Sequence, residues 1–151
     1  MLRPVELRDV RFLRDMLRHA YYWRLEEDRE RPVYRYVQNW GRPGDAGVLA
    51  LDAAHPAGAA WYRIFTERQP GFGFVDERTP ELTLAVVPAR RGRGIGSEML
   101  TALLDRARAD GYDAISLSAA KEQTPYYSGF GFEPVDETPY AVTMRLAFSS
   151  S

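Results

Sequence analysis

One stretch constrains this chain more than any other: Glu81 to Gly96, ELTLAVVPARRGRGIG. The apolar run from Glu81 to Val87 ends at Pro88 and reads as a buried strand. Glycines follow at 92, 94 and 96. From Ile95 the apolar positions Met99, Leu100, Leu103, Leu104 and Ala107 form one face of a helix, and Gly111 stops it. The first turn of a helix leaves backbone N–H groups without partners, and the helix dipole is positive there. Glycines let such a backbone approach a ligand closely. Arg90, Arg91 and Arg93 add positive charge. A strand, a Gly/Arg loop and a helix N-terminus in series make a site for a phosphate or pyrophosphate.

The type of phosphate loop can be narrowed. A P-loop needs Gly-Lys-Ser/Thr, and this loop has no lysine. The dinucleotide fingerprint G-x-G-x-x-G does not match glycines at alternate positions followed by Ser97. A tight turn with solvated arginines is the plainer alternative, and the strand-to-helix junction argues against it. RGG-type RNA segments are disordered, whereas strong apolar periodicity flanks this loop.

Around this core the chain alternates strands and helices. Leu2 to Leu7 reads as a short strand, with Asp9 as N-cap of a helix whose face is Phe12, Leu13, Met16, Leu17, Ala20 and Tyr21. After the charged stretch Arg24 to Arg31, Pro32 opens a second short helix through Trp40, ended by Gly41. Gly47 to Leu51 is a strand, His55 to Gly58 a turn, and Ala59 to Thr66 the hairpin partner. Asp113 to Leu117 is a further strand, and Pro125 opens a short helix over Thr124 to Ser128. Gly131 to Val135 and Tyr140 to Phe148 close the pattern as strands. This order predicts an α/β (α+β) fold, a mixed sheet covered by helices. No linker divides the 151 residues, which suits a single domain over 1–151.

Composition removes several function classes. Without cysteine there is no disulfide, no thiolate zinc site and no acyl-cysteine intermediate. His19 and His55 stand apart, so no metal site is expected. A formal net charge of -1 gives no general affinity for nucleic acid or an anionic membrane. No stretch approaches the ~20 apolar residues of a membrane span. The charged start MLRPVELR lacks the apolar region of a signal peptide, so the expected location is cytoplasmic.

Arg91-Gly92-Arg93-Gly94-Ile95-Gly96 resembles the R/Q-x-x-G-x-G/A signature of the GNAT superfamily of N-acetyltransferases. It follows a strand ending in Val-x-Pro, as in that family. Some thirty residues on, Pro125 to Phe132 (PYYSGFGF) looks like the family's P-F-Y-E-K-L-G-F segment. The resemblance implies a mixed, mostly antiparallel twisted sheet flanked by helices. It also implies a direct transfer of acetyl from acetyl-CoA to a primary amine in a ternary complex, without a metal. By the same resemblance, the backbone of Arg91, Gly92, Arg93, Gly94, Ile95, Gly96 and Ser97 binds the CoA pyrophosphate. The strand Leu84, Ala85, Val86 and Val87 pairs with the pantetheine arm, and one of its amides polarises the thioester carbonyl.

The resemblance also places the reacting groups. Tyr127 falls on the position of the acid that protonates the leaving thiolate, and its neighbour Tyr126 packs; the plainer reading of Tyr127 is a packed aromatic. Glu81, which begins the cofactor strand, is the base that deprotonates the amine directly or through water; the plainer reading is an exposed strand-end carboxylate. An Asn common in the family before the tyrosine is missing from Ala119 to Gln123, leaving that contact to Gln123 or water.

Tyr21, Tyr22, Trp23, Glu26, Glu27, Asp28, Trp40, Trp61 and Tyr62 suit a cationic amine, or else belong to core and solvated surface. Gly71 to Phe74 is a flap over the site or a loop with buried phenylalanines. The acceptor is a small-molecule amine or a peptide. A non-catalytic acyl-CoA sensor of the same fold is the other reading, and transfer of a longer acyl group a weaker third. Tyr140 to Leu146 is a homodimer interface or a monomer's edge strand.

Overall fold

The computed structural model describes residues 1–21 and 33–148. Its strands are β1 (Leu2–Pro4), β2 (Ala46–Asp52), β3 (His55–Arg63), β4 (Glu81–Val86), β5 (Ala114–Ala120), β6 (Glu133–Glu137) and β7 (Ala141–Ala147). They form one seven-stranded sheet in the order β1-β2-β3-β4-β5-β7-β6. Neighbours run antiparallel except β4 and β5, which are parallel. The helices are α1 (Val10–Tyr21), α2 (Ile95–Ala109) and the short α3 (Thr124–Ser128).

Two apolar clusters cover the two faces. On one, α2 buries Met99, Leu100, Leu103, Leu104 and Ala107 against β2, β3, β4 and β5, with Tyr127 and Phe132 alongside. On the other, α1 buries Leu13, Met16, Leu17 and Tyr21 against Leu49, Ala59, Trp61 and Ala85. Each large aliphatic so buried contributes roughly 1.5–3 kcal/mol. Strand alternation assigns the faces: Leu82, Leu84 and Val86 point toward α2, and Glu81, Thr83 and Ala85 toward α1. Gly111, at φ +88°, ends α2 in the left-handed region, and Tyr112 N–H returns to the Ala107 carbonyl at 3.2 Å.

Four local expectations are corrected. The β2–β3 turn is Ala53-Ala54, with Ala53 at φ 56°, rather than His55 to Gly58. Asp52 already pairs with His55, Ala57 is fully buried, and Pro56 sits at the register shift after Ala50, where its missing N–H is tolerated. The second helix shrinks to a 3₁₀ turn, Val33–Tyr36, with Pro32 outside the described residues. Asp9 does not cap α1; its carboxylate pairs with Arg3 at 2.7 Å and accepts the Glu6 N–H at 2.8 Å. Finally, β7 is no edge strand: β5 and β6 flank it. The edge on that side is β6, whose exposed Glu133, Asp136 and Glu137, Pro134 and bulge all oppose pairing with another strand.

Candidate active site between two parting strands

Between β4 and β5 the register contains one pair, Glu81 opposite Ser116. Ser116 N–H donates to the Pro80 carbonyl at 2.9 Å, and its hydroxyl to the Gly73 carbonyl at 2.8 Å. Beyond this point the strands part, and a cavity of about 530 Å³ opens. That lies within the roughly 300–1,000 Å³ typical of ligand pockets.

The backbone of β4 meets this cavity in a defined way. Val87 N–H donates to the Ala57 carbonyl at 2.8 Å, so residues 81, 83, 85 and 87 bond toward β3. The amides and carbonyls of Leu84 and Val86 therefore face the gap. Arg91 Nε, donating to the Val86 carbonyl at 3.2 Å, fits this orientation. Of the predicted cofactor strand, Val86 offers backbone to the cavity, whereas Ala85 and Val87 spend theirs on β3.

The Gly/Arg loop and the start of α2 line the other side. Arg91, Gly92, Gly94, Ile95, Gly96 and Ser97 all border the cavity, while Arg93 and Val87 do not. Gly92 (φ +81°) and Gly94 (φ +79°) both adopt the left-handed region, and a Cβ on either would meet nothing within 4 Å. The loop thus faces open space that a ligand can fill. The first backbone bond into α2 is Glu98 N–H to the Gly94 carbonyl at 3.1 Å. The amides of Ile95, Gly96 and Ser97 precede it, as expected for a first helical turn. Arg90 is anchored by Asp52 at 2.9 Å, with Arg93 at 3.8 Å from the same carboxylate.

Tyr127 borders the cavity from the α2 face. Its ring packs on Phe132, and among the described residues no hydrogen bond occupies its hydroxyl. Burial, and secondarily the neighbouring Tyr126, raise its pKa, so it stays a proton donor. Tyr126 packs on Tyr127 and Phe130, with ring centroids 5.2 and 5.4 Å away, and its hydroxyl also meets that of Ser97 at 2.8 Å. Gln123 also lines the cavity, with its carbonyl oxygen accepting the Ala120 N–H at 3.1 Å.

Glu81 is not a surface carboxylate; it is 1% exposed and lies on the α1 face. It is not part of the cavity wall. Tyr36 donates its hydroxyl proton to Glu81 Oε2. Tyr36 stacks on Tyr21 with ring centroids 4.8 Å apart, and Tyr21 does reach the cavity. Thr83 meets the Tyr21 hydroxyl at 2.9 Å. Tyr36 and Thr83 escaped the sequence reading. The two-residue spacing of Glu81 and Thr83 on a strand signals a shared face; nothing in the sequence points to Tyr36.

Several predicted acceptor residues belong elsewhere. Trp61 and Tyr62 are fully buried core, and Trp40 stacks under the Arg63 guanidinium at 5.6 Å. Tyr22, Trp23, Glu26, Glu27 and Asp28 lie outside the described residues. Phe72 is buried against Tyr21 and Tyr36, so Gly71 to Phe74 is a packed loop and not a flap. Among the described residues no cluster of His, Asp and Glu could hold a metal, and no helix is long and apolar enough to cross a membrane.

The family model described as the acetyltransferase (GNAT) family matches residues 10–132. The chain therefore belongs to the GNAT acetyltransferase family. No curated protein matches the sequence. Among solved structures, a ribosomal-protein-alanine N-acetyltransferase from Brucella melitensis superposes with a TM-score of 0.70 at 19% identity, covering 98% of this chain and 99% of its own. The yncA protein of Salmonella typhimurium, solved with its cofactor acetyl-CoA, gives 0.72 at 16% identity, covering 100% and 95%. The paia N-acetyltransferase of Thermoplasma acidophilum, in complex with coenzyme A, gives 0.68 at 14% identity, covering 98% and 99%. At these identities the likeness concerns the fold.

Proposed function

We propose that this chain is an acetyl-CoA-dependent N-acetyltransferase that moves an acetyl group directly to a primary amine of a small molecule or peptide. The observation that carries this reading is a convergence on one cavity. The outward-turned backbone of Leu84 and Val86, the open Gly92–Ser97 loop and the Tyr127 hydroxyl all border it.

Each group then has a role. The amides of the loop and of the first turn of α2 hold the pyrophosphate. The Leu84 and Val86 backbone receives the pantetheine arm, and one of these amides polarises the acyl carbonyl. Acetyl-CoA supplies the activated acyl group. Tyr127 donates its proton to the departing sulfur. Glu81 provides the carboxylate that accepts the amine's proton, from one layer behind the cavity wall. The test is free-thiol release from acetyl-CoA across a panel of primary amines and short peptides. Thiol released with an acceptor supports the reading; binding of acetyl-CoA without release on the whole panel would make the domain an acyl-CoA sensor instead.

A further inference from the structure

The predicted base and the cavity do not touch. Glu81 is buried outside the cavity wall, and two packed tyrosines, Tyr36 against Glu81 and Tyr21 against the cavity, connect them. Tyr36 gives its one proton to Glu81 Oε2. The Tyr36 oxygen accepts the Phe72 N–H at 2.7 Å, and its ring packs on that of Tyr21 with centroids 4.8 Å apart. A phenol has one proton and two lone pairs. With its proton committed to Glu81 and a lone pair to Phe72, Tyr36 meets Tyr21 as an acceptor. Thr83, 2.9 Å from the Tyr21 oxygen, can donate to it and so leave the Tyr21 proton for Tyr36, which orients the hydroxyls from Tyr21 at the cavity inward to Glu81.

We infer that Tyr21 and Tyr36 form a proton relay that carries the acceptor amine's proton from the cavity to Glu81. This rests on the transferase reading above. In the step, an N–H bond of the acceptor ammonium breaks and its proton goes to the Tyr21 oxygen. The Tyr21 proton passes to the Tyr36 oxygen, and the Tyr36 proton to the Glu81 carboxylate. An ammonium and a carboxylate become a neutral amine and a neutral acid, and both tyrosines end as they began. Tyr21 is the group that meets the amine; Tyr36 acts through it.

Two features support the relay. Burial raises the pKa of both phenols, and Glu81 beside them raises it further, so neither ionises on its own and each hands on a proton only as it receives one. Space around the relay is also tight. A Cβ at Gly71 would meet the Tyr36 hydroxyl oxygen at 2.7 Å and would crowd Glu81, so the 66–80 loop closes over the pair with a residue that has no side chain.

The experiment compares Tyr21→Phe, Tyr36→Phe, Glu81→Gln and the Tyr21→Phe/Tyr36→Phe double variant with wild type. Rates are measured with acetyl-CoA and the fastest acceptor of the panel, and acetyl-CoA affinity and melting temperature are measured in parallel. Groups that act as one unit lose activity non-additively. Each single variant should therefore lower kcat by about 100-fold, and the double variant no further, with acetyl-CoA affinity unchanged. The wild-type proton inventory in H2O/D2O mixtures should bow downward, as for more than one proton in flight, and become linear in Tyr36→Phe. Glu81→Gln keeps the volume and an acceptor oxygen, so it reports on the base even if a phenylalanine variant folds poorly. Losses that multiply in the double variant, or a wild-type rate in Tyr36→Phe and Glu81→Gln, would overturn the relay and leave the transferase standing. A wild-type protein that releases no thiol with any acceptor would overturn both.

Discussion

Glu81 lies opposite Ser116 at the register pair where β4 and β5 still meet, and every proposed catalytic feature depends on where that pairing stops. Below it, the 66–80 loop is pinned by the Ser116 hydroxyl to the Gly73 carbonyl. Above it, the sheet opens, and groups from its two faces share one space. Tyr127 enters from the α2 side and Tyr21 from the α1 side. A continuous ladder would have kept the proposed acid and the proposed relay apart.

Tyr127→Phe removes the hydroxyl and keeps the ring against Phe132. We expect kcat to fall about 10- to 100-fold, with the acetyl-CoA dissociation constant unchanged. Steady-state kinetics beside a calorimetric titration would separate these. An unchanged kcat would hand protonation of the thiolate to another group.

Gly94 occupies φ +79°, where a Cβ costs about 1–2 kcal/mol. Gly94→Ala should cost about that much stability and weaken acetyl-CoA binding about tenfold, or ~1.4 kcal/mol. Thermal unfolding and calorimetry on the variant read the two effects. Full affinity would mean that the loop backbone does not approach the ligand.

The buried pair of Arg63 and Asp45, 2.8 Å apart with side chains 1% and 2% exposed, holds the segment before β2 against β3. Asp45→Ala leaves the guanidinium buried without its carboxylate. The expected loss is about 3 kcal/mol, which for a domain of this size lowers Tm by roughly 6–12 °C. A shift of a degree or two in the melting curve would show that the remaining bonds to the Arg35 and Gln38 carbonyls suffice.

Burial raises the pKa values of Tyr21, Tyr36, Tyr62 and Tyr127 above the ordinary value of 10.0. The folded chain therefore holds these protons more tightly than the unfolded chain. The linked stability is complete below about pH 10 and is lost as pH rises toward the folded values. Melting temperature should be flat up to about pH 9 and fall beyond about pH 10. A melting temperature that stays level through about pH 11 would contradict this.

The sequence made the β4–loop–α2 unit legible because its signals are local. An apolar run ended by Pro88, glycines at a junction and a clean helical face need no tertiary information. The positions of Tyr127 and the loop around the cavity followed from the same motifs. What failed depends on distant packing. Pro56 and Gly58 are the stronger turn residues, yet Ala57 is fully buried and the chain turns earlier, at two alanines. Strand order is nonlocal, so nothing in Ala141 to Ala147 announced that β6 would cover it. Trp61 and Tyr62, which the sequence left between pocket and core, sit on a central strand buried on both faces. Tyr36 joins Glu81 across 45 residues, through packing that no spacing rule reveals.

The most direct test of the account is a calorimetric titration of the full chain with acetyl-CoA. Saturable binding of one acetyl-CoA per chain and a matching rise in melting temperature are expected, since a ligand that binds the folded state stabilises it by mass action. No binding heat and no thermal shift at millimolar acetyl-CoA would contradict the assignment of the Arg91–Ser97 loop, and with it the proposed transferase.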